Sequence, residues 1–431
     1  MAIPSANTPG PVARDTASDT AATQRVALTV VTTLFFMWGF ITALNDVLIP
    51  HLKSIFDLSF AQAALVQSAF FAAYFIFSIP AAKVVDSLGY KKTMVLGLIT
   101  MGLGALLFIP AASAPSYPLF LGALMVVAAG ITALQVAANP YVSVLGPPSS
   151  ASTRLTLAQA FNSFGTTIAP WLGGILILTA APTAIEVVRQ MAPDVRQAFD
   201  LHEASSVKVP YLVIGLVLFA LACAIAMFKL PPIPGAERHG AVKDSVWSHR
   251  NLTLGTIAIF VYVGAEVSIG SFLINYISQA DIGNISVFAA ARYVSYYWFG
   301  AMVGRFVGSA VLQRVRTGTV LGIAALMAGL LVCISMLTFG HFAMWTIILV
   351  GLFNSVMFPS IFTLGIAGLG PLTGDGSGFL VMAIVGGAII PWLQGKLADH
   401  SGLHHAFILP VICYLYIAYY AFKGSEPTVT A

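Results

Sequence analysis

Ala169-Pro170-Trp171-Leu172-Gly173-Gly174 returns 221 residues later as Ile390-Pro391-Trp392-Leu393-Gln394-Gly395. A second echo sets Pro140-Tyr141-Val142-Ser143-Val144-Leu145-Gly146 against Pro359-Ser360-Ile361-Phe362-Thr363-Leu364-Gly365, at an offset of 219. One such match is cheap in apolar sequence, but two at nearly the same offset argue for a duplicated unit spanning half the chain. Around both copies the chain is a series of apolar runs, near 26–50, 60–80, 93–112, 119–145, 155–180 and 209–230, then 252–278, 287–312, 319–339, 342–368, 376–397 and 405–422. Each is long enough to cross roughly 30 Å of hydrocarbon as a helix. The expected fold is an all-α membrane protein of twelve transmembrane helices in two pseudosymmetric six-helix bundles, residues 25–230 and 251–422. A cytoplasmic linker at 231–250 joins them, with a disordered tail expected at 1–24 and a short one at 423–431. Parallel repeats of this kind hold a solute site between the halves near mid-membrane and open it to each side in turn.

Composition agrees, because 58% of the 431 residues are hydrophobic and only 8% charged, about a third of the charged share of a soluble domain. The net charge of +4 is spread over short loops and points to no nucleic-acid partner. It reports orientation instead. With both termini cytoplasmic, 14 Lys and Arg fall inside and 6 outside, accounting for all 20, which is the positive-inside arrangement. The three cysteines lie in apolar runs without a CxxC partner, and His400, His404 and His405 lack a cysteine or carboxylate cluster, so neither a disulfide framework nor a metal site is expected. No P-loop, nucleophile elbow or dinucleotide fingerprint is present, so neither an ATP-driven pump nor an enzyme is expected. The molecule is expected to work as a monomer in the lipid bilayer, with no cofactor.

Two carboxylates lie well inside spans, Asp46 in the first and Glu266 in the seventh, 220 residues apart and therefore at matching repeat positions. A charge at the bilayer centre costs about 2.5–3.5 kcal/mol even on a lenient insertion scale, so such residues are functional candidates. A carboxyl in a poorly hydrated cavity suits reversible protonation, which makes the pair the expected proton-coupling site. The amides repeat the pattern, since Gln135 and Asn354 are 219 apart. Gln135 and Asn139 lie one helical turn apart on one face, and Gln159 and Asn162 nearly do. Amides offer the donors and acceptors that sugar hydroxyls need without binding ions. Trp38 lies on the face of Asn45 and Asp46 and could stack on a pyranose ring. Asp86, with the basic turn after span two, and Arg305, with Gly304 and Gly308 around the matching basic turn after span eight, are expected to latch the halves on the inner side.

These residues resemble the fucose/proton symporter family of the major facilitator superfamily, and among its members the bacterial glucose/galactose transporters. The resemblance runs from Phe35 to Phe422. It is carried by Phe35-Phe36-Met37-Trp38-Gly39, Leu44-Asn45-Asp46, Gln67-Ser68-Ala69-Phe70, Ala137-Ala138-Asn139-Pro140, Leu157-Ala158-Gln159-Ala160-Phe161-Asn162-Ser163-Phe164-Gly165 and Tyr262-Val263-Gly264-Ala265-Glu266. It implies a major facilitator fold in the bacterial inner membrane and symport of a small-molecule sugar with protons. It also implies a coupling acid at Asp46 and sugar contacts from the motif amides, Gln67 among them. The fucose branch has a glutamate on span four and a glutamine on span seven; this chain reverses the two, with Gln135 and Glu266. That exchange resembles the glucose/galactose branch and implies Asp46 and Glu266 as the ionisable pair.

Overall fold

A computed structural model of the chain describes residues 12–56, 60–114, 116–176, 191–233 and 245–427, and every regular element within them is helical. The first helix, α1 (Val12–Phe56), begins thirteen residues before the boundary expected at 25. Residues 12–24, expected as disordered tail, are thus helical, in keeping with an alanine-containing stretch free of proline. The run Phe60–Ser113 reverses at Gly89, whose φ of 79° and ψ of 167° suit only a residue without Cβ. It therefore forms two spans, α2 (60–88) and α3 (90–113). Then come α4 (Tyr117–Val144), α5 (Ala151–Leu176) and, after a short helix at Pro193–Ser205, α6 (Lys208–Met227). The second bundle holds α7 (Arg250–Ile277), α8 (Val287–Val311), α9 (Thr317–Leu337), α10 (Gly340–Gly365), α11 (Gly370–Ser401) and α12 (Leu403–Gly424). The twelve helices overlie the twelve apolar runs, most to within a few residues; α2 runs eight residues past its run, α11 starts six before its own, and α1 overruns at both ends.

Between lipid and helix there is no hydrophobic drive to associate, so tight packing depends on small residues that let backbones approach. Gly39 on α1 and Gly165 on α5 do this: a Cβ on the first would overlap the Asn162 carbonyl, and one on the second the Phe36 carbonyl. Gly97 and Gly130 bring α3 onto α4 in the same way, and Gly386 sets α11 against the Phe260 carbonyl of α7. Both α10 and α11 are interrupted, α10 after Asn354 and α11 at a 3-10 turn over Ala383–Val385. Such irregular backbone at membrane depth is tolerated where protein covers it.

The bundles meet over the half of the spans nearest the linker. There Ser152 of α5 and Thr363 of α10 lie 2.6 Å apart as hydroxyl partners, and Thr317 of α9 donates to Ser152 at 2.9 Å. Ser377 of α11 donates to the Val136 carbonyl of α4 at 2.8 Å. Phe161 and Phe306 pack edge to face, with ring centroids 6.1 Å apart. Asp86, expected in a turn after the second span, lies inside α2, two residues before its end, with its carboxyl against Gly374 at the start of α11.

Candidate functional site

Above this contact zone the bundles enclose a cavity of about 160 Å³. Its wall from the first bundle is Trp38, Gly39 and Thr42 on α1, Tyr74 on α2, Gln135 on α4, and Gln159, Asn162 and Thr166 on α5. The second bundle contributes Tyr262, Val263 and Glu266 on α7, Arg305 on α8, Phe358 on α10 and Ile384 on α11. The volume suits one small polar solute; drug-sized pockets run from about 300 to 1,000 Å³.

The first-bundle wall is built of amides held in place from behind. Gln135 is buried and donates to the Tyr74 hydroxyl at 2.8 Å, which orients its amide. Asn162 donates to the Phe35 carbonyl at 3.0 Å across the Gly39–Gly165 contact, so the glycine pair sets where this amide stands. The Gln159 amide nitrogen donates to the Asn139 side-chain Oδ1 at 3.5 Å. Asn139 itself is fully buried behind Gln159 and does not line the cavity, so it supports an amide of the wall. Trp38, backed by Phe35 at a centroid distance of 4.1 Å, supplies an aromatic face.

The second-bundle wall carries the charge. Glu266 lines the cavity one helical turn after Tyr262, and its Oε1 is buried without a hydrogen-bond partner. Arg305 faces the same space. The sequence placed it in an inner-side turn, but it lies inside α8, six residues before the helix ends at Val311. A guanidinium within an apolar span needs polar partners, and it finds most of them across the bundle boundary. Its Nη1 donates to the Gln159 carbonyl at 3.3 Å and to the Ser163 hydroxyl, while its Nε donates to the Ser355 carbonyl at 3.3 Å.

Asn354 is not the counterpart of Gln135 that the repeat offset suggested. It is fully buried, donates to the Tyr297 hydroxyl at 2.8 Å and accepts from the Tyr414 hydroxyl at 2.8 Å. Its backbone carbonyl accepts from Tyr262 at 3.1 Å. The side-chain amide thus joins α8, α10 and α12, the backbone carbonyl adds α7, and two tyrosines take up side-chain polar capacity a solute would have used. Gln67 is exposed and outside the cavity wall. The side chains of Asn45 and Asp46 lie outside the described residues. Sequence reasoning passed over Tyr74, Tyr262, Thr42, Thr166, Phe358 and Ile384. Tyr262 alone carried a signal, its spacing of four residues from Glu266.

Residues 29–390 match the sequence profile of the Major Facilitator Superfamily. The chain is 52% identical over 404 residues to a glucose/galactose transporter of Brucella abortus, covering 93% of this chain and 94% of the relative. It is 43% identical over 408 residues to a putative glucose/galactose transporter of Helicobacter pylori, covering 93% and 97%. The L-fucose-proton symporter of Escherichia coli K12 is 36% identical over 414 residues, with 94% of each covered. Among solved structures, the transporter FucP in its outward conformation superposes with a TM-score of 0.88 at 36% identity, covering 94% of this chain and all of that one. With duplicated six-helix bundles, a cavity between them and a profile match over most of its length, the chain belongs to the Major Facilitator Superfamily.

Proposed function

We infer that the chain is a proton-coupled symporter that carries a hexose, glucose and/or galactose, into a bacterial cell by alternating access. The observation that carries this reading is the asymmetry of the cavity: one wall of oriented amides and a tryptophan face, and opposite it a carboxyl with a buried, unpartnered oxygen. Gln135, Gln159 and Asn162 would bind hydroxyls while the Trp38 ring covers an apolar face of the sugar. Glu266 and Asp46 would take the proton. The similarity to glucose/galactose transporters supports the hexose, and that to a fucose-proton symporter supports the coupling ion. In this reading both termini are cytoplasmic, the contact zone near the linker is the closed inner gate, and the molecule works as a monomer.

The test is sugar uptake into proteoliposomes under an inward proton gradient. Wild-type protein should accumulate glucose or galactose above equilibrium. Asp46→Asn and Glu266→Gln should abolish accumulation while sugar-for-sugar exchange survives. Uptake that never exceeds equilibrium and ignores the gradient would leave a uniporter.

A further inference from the structure

Three polar residues of the first-bundle wall, Tyr74, Gln135 and Gln159, each have a second polar residue one turn nearer the linker on the same helix face. On α2 it is Ser78, on α4 Asn139, and on α5, which runs the other way, Thr156. On α10 Ser360 stands at the same level as Thr156: it lies one turn before Thr363, and Thr363 meets Ser152 one turn below Thr156. These four form a layer about 5–6 Å below the wall, one turn of helix rise. All are fully buried, and Ser78 Oγ, Asn139 Nδ2, Thr156 Oγ1 and Ser360 Oγ have no hydrogen-bond partner. Other span hydroxyls fold back on their own helix, as Thr132 does to the Ala128 carbonyl and Thr363 to the Pro359 carbonyl, each at 2.8 Å. An unpaired polar group in such a place weakens the packed state, which alanine or valine would not do. The layer also lies in the seam between the bundles. A Cβ on Gly378 of α11 would stand 3.3 Å from the Ser78 carbonyl, and one on Gly308 of α8 3.9 Å from the Thr156 methyl. Asn139 is joined upward to the wall through the Gln159 amide at 3.5 Å.

We propose that this layer is a second sugar subsite, presented once the bundles part on the linker side. Ser78, Asn139, Thr156 and Ser360 are then uncovered, and the hexose exchanges its bonds to the amide wall for bonds to them, one turn further along. Three hydroxyls and an amide N–H offer the donors and acceptors that sugar hydroxyls need, and none of the four carries a charge. The layer therefore holds sugar without competing for the proton. Its unpaired atoms also keep the closed linker side from being too stable to open. The inference rests on the hexose reading above and adds to it the inward half of the sugar's route.

The test uses full-length protein in oriented proteoliposomes, with glucose, galactose and the monodeoxyglucoses as probes in sugar-for-sugar exchange. Half-saturation is read for each face by varying the sugar there against saturating sugar opposite. Ser78→Ala, Thr156→Val and Ser360→Ala should raise the linker-side value for glucose by about 3- to 10-fold, the worth of one hydrogen bond, and hold the outer-face value within about twofold. The shift should vanish for the monodeoxyglucose that lacks the hydroxyl each residue meets. Thr156→Ser, which keeps the hydroxyl, should stay near wild type. The proposal is overturned if all three substitutions leave the linker-side value unchanged, if they raise both faces alike, or if Thr156→Ser behaves as Thr156→Val. It is also overturned if the shift is equal for glucose and every monodeoxyglucose, because the closed contact has then only been tightened. A wild type that exchanges no hexose takes down the hexose reading and this inference together.

Discussion

Replacing Asn354 by alanine separates its two possible roles, sugar ligand or tie between helices. The side chain makes two hydrogen bonds of 2.8 Å, one donated to Tyr297 and one accepted from Tyr414, and it has no exposed surface. Interhelical hydrogen bonds in membranes average about 0.6 kcal/mol and reach about 1.7. Two of them, both with buried phenols left behind, give an expected loss of about 1–3 kcal/mol. The Tyr262 bond to the Asn354 carbonyl is untouched, because it is made to backbone. Asn354→Ala should therefore lower the midpoint of SDS-induced unfolding and shorten the half-life in detergent at fixed temperature. Sugar affinity, measured on the fraction that remains folded, should change little. Asn354→Asp should recover part of the stability, since a carboxyl can still accept from Tyr414. The reasoning is refuted if Asn354→Ala weakens sugar binding tenfold or more, a change of about 1.4 kcal/mol, while unfolding stays at the wild-type midpoint.

Gly39→Ala should disturb the site through packing: its Cβ would sit 2.6 Å from the Asn162 amide nitrogen as well as overlapping the carbonyl. Overpacking of this kind costs about 1–3 kcal/mol, and the expected result is reduced thermal stability together with weaker sugar binding, read by ligand-induced stabilisation. Thr363→Val removes the hydroxyl that pairs with Ser152 at 2.6 Å while keeping the shape. Cysteine-accessibility labelling of positions on the linker side should then rise relative to wild type, and unchanged labelling would mean that this contact does not hold the gate.

Much of the architecture was legible from the chain alone because lipid imposes one demand everywhere: backbone polar groups must be satisfied within the span, so twenty apolar residues read as a helix without knowledge of their neighbours. The duplication was equally legible, since Pro140 with Pro359 and Trp171 with Trp392 keep their spacing whatever the packing. Glu266 could be singled out as a candidate from its type and depth alone, because a lone acid in an apolar run is expensive. Pseudosymmetry said which positions correspond, and not which way they face. Gln135 and Asn354 occupy matching places in the repeat, yet one borders the cavity and the other is consumed by Tyr297 and Tyr414, tyrosines with no marked partner in the linear sequence. Arg305 shows the same limit from the other side. Read by its neighbours Gly304 and Gly308 it belongs to a basic turn; in three dimensions it is a cavity residue bonded to the opposite bundle. Apolar pattern and spacing thus determined the spans, the repeat and the candidate acid. Only the tertiary structure decided which polar groups are free to meet a solute, because that depends on which hydrogen bonds the packed helices have already made among themselves.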